Sequence, residues 1–381
     1  MLRRIFVWGL LIFCIGTSVA QVDQVWRYTY PEFGAGMNNN LYFRIENNNF
    51  VKNNEYFGDF TEGYTLMGYA IQPSLMYYAG SDLRIKAGLH VVKYSGMEQF
   101  TNVIPTFSIH TKLGDNFDLI MGGLRGDVHH RLLEPIFDPE NQYSRPIENG
   151  FQFIYDNEHL WFDTWVDWEQ FIVIGDDKPE KFTAGVSTEY KFLTGNSDWE
   201  ISIPGQLIAT HLGGQISDFE EPMQSLANIA SGVKFNKTIG SGFIQNVSLA
   251  TYGAWYQDLT EKSGLPFSNG QAIYPVAEIG YKYGLLMVGY WHANNFVAPK
   301  GSHLFQSVSD YKVVDESSYY YQPKRELLNT KLTFSKDFLQ KIKFSVVLET
   351  YYDIPNAQFD YAYGLNLVFN PNFFLKKVRF D

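Results

Sequence analysis

From Leu41 onward the chain repeats short runs in which apolar and polar residues alternate. In the run from Lys341, residues Ile342, Phe344, Val346, Leu348 and Tyr352 fall on one face. Lys341, Lys343, Ser345, Glu349 and Tyr351 fall on the other. A period of two is that of a strand with one apolar and one wet face. Gly80-Ser81-Asp82, Gly114-Asp115-Asn116, Asp156-Asn157-Glu158, Gly195-Asn196, Gly240-Ser241-Gly242, the neighbourhood of Gly284, and Lys336-Asp337 read as tight turns. Gly, Asn and Asp supply the positive φ that hairpin turns need. Between them lie longer polar connections at about 51–63, 95–101, 129–147, 173–180, 213–223, 257–270, 297–325 and 353–357. Seven turns alternating with eight loops predict about 16 strands, with both termini at the short-turn end. Fourteen to eighteen strands stay compatible, because 129–147 and 297–325 are long enough to hold another hairpin.

The faces can be assigned strand by strand. Leu83, Ile85, Ala87, Leu89 and Val91 share one side, with Arg84, Lys86, His90 and Tyr94 on the other. Phe182, Ala184, Val186, Tyr190 and Phe192 oppose Thr183, Ser187, Glu189 and Lys191. Phe359, Tyr361, Tyr363, Leu365, Leu367 and Phe369 oppose Asp360, Gly364 and Asn366. A register slip of one residue would turn every charge toward the apolar side, so the register is strongly specified.

The first twenty residues differ in kind. Arg3 and Arg4 precede an apolar stretch, Ile5 to Gly16, too short to span a bilayer as a helix. Ser18-Val19-Ala20 then offers small residues, so the reading is a signal peptide cleaved after Ala20. The lone cysteine, Cys14, leaves with it, which excludes disulfides and thiol chemistry from the mature chain. Cleavage would leave 361 residues and, with two arginines gone, move the net charge from −11 to −13. Such acidity argues against nucleic acid as a partner. Aromatic residues reach 17%, with 26 Tyr and 31 Phe, yet no later apolar stretch is long enough for a membrane helix. An exported chain with these properties is best satisfied as an all-β, single transmembrane antiparallel β-barrel. Its strands would show lipid their apolar side and form aromatic girdles at both interfaces, with short periplasmic turns and long extracellular loops. The expected organisation is a signal peptide at 1–20, a lead-in at 21–40, the barrel at 41–370, and a tail or end of the last strand at 371–381.

Three constellations bear on chemistry. Trp161, Asp163, Trp165, Asp167 and Glu169 alternate along one strand and should face the lumen, since carboxylates cannot face lipid. Arg84, Lys86 and His90, with Glu189, Lys191, Lys341, Lys343 and Glu349, point inward by the same parity. Walls of opposite sign would order solutes in a bore, whereas mutual pairing would fill it. Asp127 near His129 and His130 invites a hydrolase reading, but no serine sits in a recognisable setting, and the expectation is that the chain is not an enzyme. The acidic loops lack calcium-loop spacing, and neither a metal nor a cofactor is expected.

The chain resembles Gram-negative outer-membrane porin-type barrels. The most specific element is Gly364-Leu365-Asn366-Leu367-Val368-Phe369, similar to the C-terminal signal read by the barrel-insertion machinery. It departs from that signal at Ala362, where a polar residue is usual, and in the tail from Asn370 to Asp381. The Ala20–Gln21 junction and the bias toward Asn, Tyr and Phe resemble Bacteroidota members of the class. The resemblance implies lipid and the insertion machinery as partners, with passive passage of small hydrophilic solutes or ions as the function. The alternatives are a plugged barrel acting through its loops in binding, adhesion or assembly, and an outer-membrane hydrolase. On this reading, protease applied to intact cells should cut within 129–147 or 297–325 and spare the turns near Ser81, Asn157 and Ser241.

Overall fold

The computed structural model describes residues 33–378 except 127–129, 193–196, 215, 217, 220–221, 261–262, 316–317 and 339–341. The signal peptide and Lys341 lie outside the described residues, as do Asp127 and His129. Sixteen strands form the wall: β1 (Asn40–Glu55), β2 (Thr65–Tyr78), β3 (Leu83–Tyr94), β4 (Asn102–Lys112), β5 (Phe117–Gly123), β6 (Asn149–Asp156), β7 (Leu160–Gln170), β8 (Glu180–Lys191), β9 (Trp199–Gly213), β10 (Gln224–Thr238), β11 (Ile244–Asp258), β12 (Asn269–Tyr281), β13 (Gly284–Asn294), and, after the hairpin β14 (Val308–Asp315) and β15 (Ser318–Tyr321), β16 (Lys324–Phe338), β17 (Ile342–Asp353) and β18 (Gln358–Phe369). Sequence neighbours pair antiparallel, β13 pairs with β16 across the hairpin, and β1 closes the barrel on β18. The fold is an all-β, closed, 16-strand antiparallel barrel. One extra strand, β19 (Asn372–Lys377), continues the last strand along β1, from Arg44 opposite Asn372 to Asn40 opposite Lys377.

Two loops differ from the sequence reading. Residues 51–55 belong to β1, because Val51 to Glu55 has backbone partners on β18 and Val51 to Asn53 also on β2. Pairing on both sides outweighs their polar composition. The segment expected as a loop at 297–325 holds the hairpin β14–β15, which lies off the wall.

The alternation produces two faces. Phe359, Leu365 and Leu367 are exposed, while Asp360, Ala362 and Asn366 between them are buried inside the barrel. In the turn between β2 and β3, Gly80 holds φ +140°, where an L side chain is strained. Between β7 and β8, a Cβ on Gly185 would lie 2.2 Å from the Trp165 ring, so only glycine lets that indole lie flat on the wall.

The core sits in the lumen. Ile136 from the β5–β6 loop and Phe296, Leu304 and Phe305 from the β13–β16 loop pack on inward-facing Tyr274, Trp291, Leu327 and Tyr351. The two loops also join each other: Asp138 N–H donates to Lys300 O at 2.7 Å, and Ser302 N–H to Glu134 O at 3.0 Å. They therefore fill the long-loop half of the barrel. This changes the protease expectation. Cleavage should move to the segment after β7, where Phe171, Val173 and Ile174 are 69%, 57% and 87% exposed, and 130–145 should survive. For the wall, Leu365→Lys on the outer face should cost about 2–4 kcal/mol. Ser345→Lys, pointing inward with partial exposure, should cost far less, as read by urea titration in liposomes. Equal losses would contradict the two-faced wall.

Candidate functional site

The acidic strand expected to face a bore does point inward, but its carboxylates are engaged. His130, from the β5–β6 loop, sits between two of them: its Nδ1 is 2.7 Å from Asp163 and its Nε2 3.0 Å from Glu148. The ring stacks on Trp165 at 3.5 Å between centroids. Arg145 pairs with Asp167 at 2.8 Å and also with Glu169, which holds Lys300 at 2.5 Å. Trp161 lies under the Arg131 guanidinium, 4.2 Å away. The partners come mainly from the two inserted loops.

The basic stripe is also compensated. Lys86 reaches Glu46 at 2.5 Å, and Arg84 reaches His110 at 2.7 Å. His90 meets Gln72 at 3.2 Å. Lys191 pairs with Glu200 at 3.1 Å, and Glu189 accepts the Ser202 hydroxyl at 2.6 Å. Lys343 is half-buried on the inner side of β17.

The densest cluster of charge spans the long-loop half of the lumen. Glu140, Lys52, Glu349, Lys331 and Glu134 form a ladder of alternating sign. Lys52 lies 3.0 Å from Glu140 and 2.6 Å from Glu349; Lys331 lies 2.6 Å from Glu349 and 3.6 Å from Glu134. Charges this deep persist only when paired and hydrogen-bonded, and Tyr351 completes the lower end by donating to Glu134 at 2.7 Å. At the upper end Glu140 accepts Asn54 Nδ2 at 2.8 Å and the Tyr64 hydroxyl. Burial, reinforced by the Glu140 charge beside it, holds the Asp138 carboxyl well above the usual carboxylate range.

The same rim is polar on its other side. Asn53, Glu55 and Thr65 project from the outer face, where Thr65 Oγ1 donates to Asn53 and Asn53 Nδ2 donates to Glu55 at 2.8 Å. The β1–β2 rim thus gathers carboxylates, a hydroxyl, amides and an ammonium at the edge of the apolar wall. These groups can donate and accept hydrogen bonds and exchange protons at that edge. Glu140 stood out in the sequence only as part of an acidic loop with Glu134 and Asp138, and Asn53, Asn54, Glu55, Tyr64 and Thr65 did not stand out. The available signal was the run Asn53-Asn54-Glu55 continuing a strand.

His130 allows a direct test. Burial alone would lower its pKa, but Glu148 and Asp163 override this and raise it to about 10. A proton held more tightly in the folded state contributes stability in full below the unfolded value of about 6.5, lost as pH rises toward 10. The thermal midpoint should therefore fall between pH 6.5 and 10 in the wild type and stay flatter in His130→Ala. The variant, leaving two buried carboxylates without their cation, should lose about 3–5 kcal/mol at neutral pH. A wild-type midpoint as flat as the variant's would contradict the assignment.

Comparisons with known proteins complete the picture. A crystal structure of OprD from Pseudomonas aeruginosa superimposes with a TM-score of 0.52 at 8% identity, covering 91% of this chain and 98% of that one. A second OprD crystal structure gives 0.50 at 8% identity, covering 91% and 96%. A loop-deletion mutant of OmpT from Vibrio cholerae gives 0.49 at 11% identity, covering 87% and 99%. At such identities the two OprD matches establish the outer-membrane barrel fold alone. No curated protein matches the sequence. Residues 33–378, by contrast, match a family described as lipid A 3'-O-deacylase-type. That finding overturns the expectation that the chain is not an enzyme, because the family it names points to enzymatic activity. The match spans every wall strand from β1 through the tail, and the chain belongs to the lipid A 3'-O-deacylase-type family.

Proposed function

We propose that this protein resides in the outer membrane, exported by a signal peptide cleaved after Ala20, and hydrolyses an ester-linked acyl chain of a lipid A-type glycolipid. The observation that carries the reading is the family match over residues 33–378. The reaction adds water across the ester: the acyl carbon–oxygen bond breaks, the acyl chain leaves as a carboxylic acid, and the sugar keeps a hydroxyl. It requires an activated water or nucleophile and a group that stabilises the oxyanion. The β1–β2 rim supplies such groups at the boundary between lipid and solvent, where the ester-bearing part of a glycolipid lies. Tyr64 is 41% exposed there, and Glu140 links it to Lys52 and the interior. In this role Glu140 and Asp138 govern proton movement, Asn54 and Lys52 provide donors, and Thr65, Asn53 and Glu55 contact the headgroup from the lipid side.

The test is mass spectrometry of lipid A from a Gram-negative host carrying the gene. The wild type should remove one acyl chain, and Glu140→Gln and Thr65→Val should each lower the deacylated fraction at least tenfold at equal amounts of folded barrel. Unchanged lipid A in wild-type cells would overturn the reading. Planar-bilayer recording then decides the passive-channel alternative, which predicts steady conductance. The filled lumen predicts a closed baseline.

A further inference from the structure

Below the inserted loops, in the short-turn half of the barrel, lies a second site. A cavity of about 320 Å³ is bounded above by Arg131 and the lower end of the charge ladder, and at the sides by Trp161, Glu189, Lys234, Tyr252 and Glu278. Its volume is at the lower end of the range for small-molecule sites, about 300–1,000 Å³. Lys234 is four positions from the short-turn end of β10, and Glu278 three from that of β12, so the cavity stands apart from the β1–β2 rim.

The roof is built rather than incidental. Arg131 holds φ +56°, a conformation that costs a non-glycine residue about 1–3 kcal/mol unless its surroundings impose it. Gln206 imposes it: its Oε1 accepts the Leu133 N–H at 3.0 Å, and its Nε2 donates to Arg131 O at 3.1 Å. The guanidinium is thereby laid over Trp161. The walls carry charge of both signs that the fold does not use. Among the described residues Lys234 and Glu278 have neither an ion-pair nor a hydrogen-bond partner, unlike the compensated stripes above. A simple anion would meet Glu189 and Glu278, and a simple cation would meet Arg131 and Lys234. A molecule bearing both charges satisfies both sets.

We propose that this cavity binds a small zwitterion of amino-acid or dipeptide size, its carboxylate on Lys234 and Arg131 and its ammonium on Glu278 and Glu189. The site is independent of the deacylase reading, so Lys234→Met and Glu278→Gln should leave the lipid A profile as in the wild type.

The test is calorimetry on the full mature protein refolded in detergent, with folding of each variant checked by heat-modifiable gel mobility. The probes are alanyl-alanine, its N-acetyl form and its C-terminal amide. Alanyl-alanine should bind saturably, and each blocked form at least tenfold more weakly. Lys234→Met should weaken the dipeptide tenfold or more yet leave the amide unchanged. Glu278→Gln should do the same for the dipeptide and leave the N-acetyl form unchanged. Absence of dipeptide binding, equal binding of all three probes, or equal losses for every probe in both variants would overturn the proposal.

Discussion

Inside a bilayer an unpaired backbone amide has no water to turn to, and this constraint organises the whole molecule. A sheet satisfies it only when its two edges meet. Here the meeting is between β1 and β18, paired from Asn47 opposite Phe369 to Glu55 opposite Tyr361. The break at Pro371, which has no N–H to give, falls where the final strand passes into β19, and its carbonyl still accepts the Ile45 N–H at 3.2 Å. Closure leaves side chains, not backbone, to differ between the two faces. Apolar residues go to lipid, and every strand must place its polar residues in a shared interior.

That interior then has its own problem. Carboxylates and ammonium groups crowded in a narrow, low-dielectric space are costly unless paired. The molecule answers by lowering two loops into the bore. His130 and Arg145 arrive from one and Lys300 from the other, each meeting a carboxylate of the acidic stripe. The loops also bring Ile136 and Phe305, which give the lumen an apolar core of the kind a soluble domain has. Charge compensation and hydrophobic packing thus hold the same two segments, and what is left over is informative. The β1–β2 rim keeps polar groups on both faces, and the cavity below keeps Lys234 and Glu278 uncompensated.

The wall was legible in the sequence because its signal is local. Phe359 to Phe369 declares its two faces by alternation alone, and Gly80 declares its turn by what only glycine tolerates. The inward placement of Asp163 and Arg84 followed from parity. Their partners did not, because His130 and Asp163 are brought together by a loop whose path no periodicity encodes. Asn53 and Asn54 were hidden for a related reason: their polarity suggested a loop, and pairing with distant β18, and for Asn53 also with β2, keeps them in a strand. The meeting of Asn54 and Tyr64 with Glu140 was invisible for the same cause, since the partners lie 86 and 76 residues apart.

The claim on which the account turns is that the lumen is a packed interior held by the β5–β6 and β13–β16 loops. Hydrogen–deuterium exchange in lipid nanodiscs measures it directly. The amides of Phe137, Tyr143, Gly301 and Ser302 each donate to a backbone carbonyl at 2.9 to 3.0 Å, and should exchange as slowly as those of the wall strands. Exchange of these amides as fast as that of exposed Phe171 and Ile174 would mean that the loops do not fill the barrel, and would contradict the account.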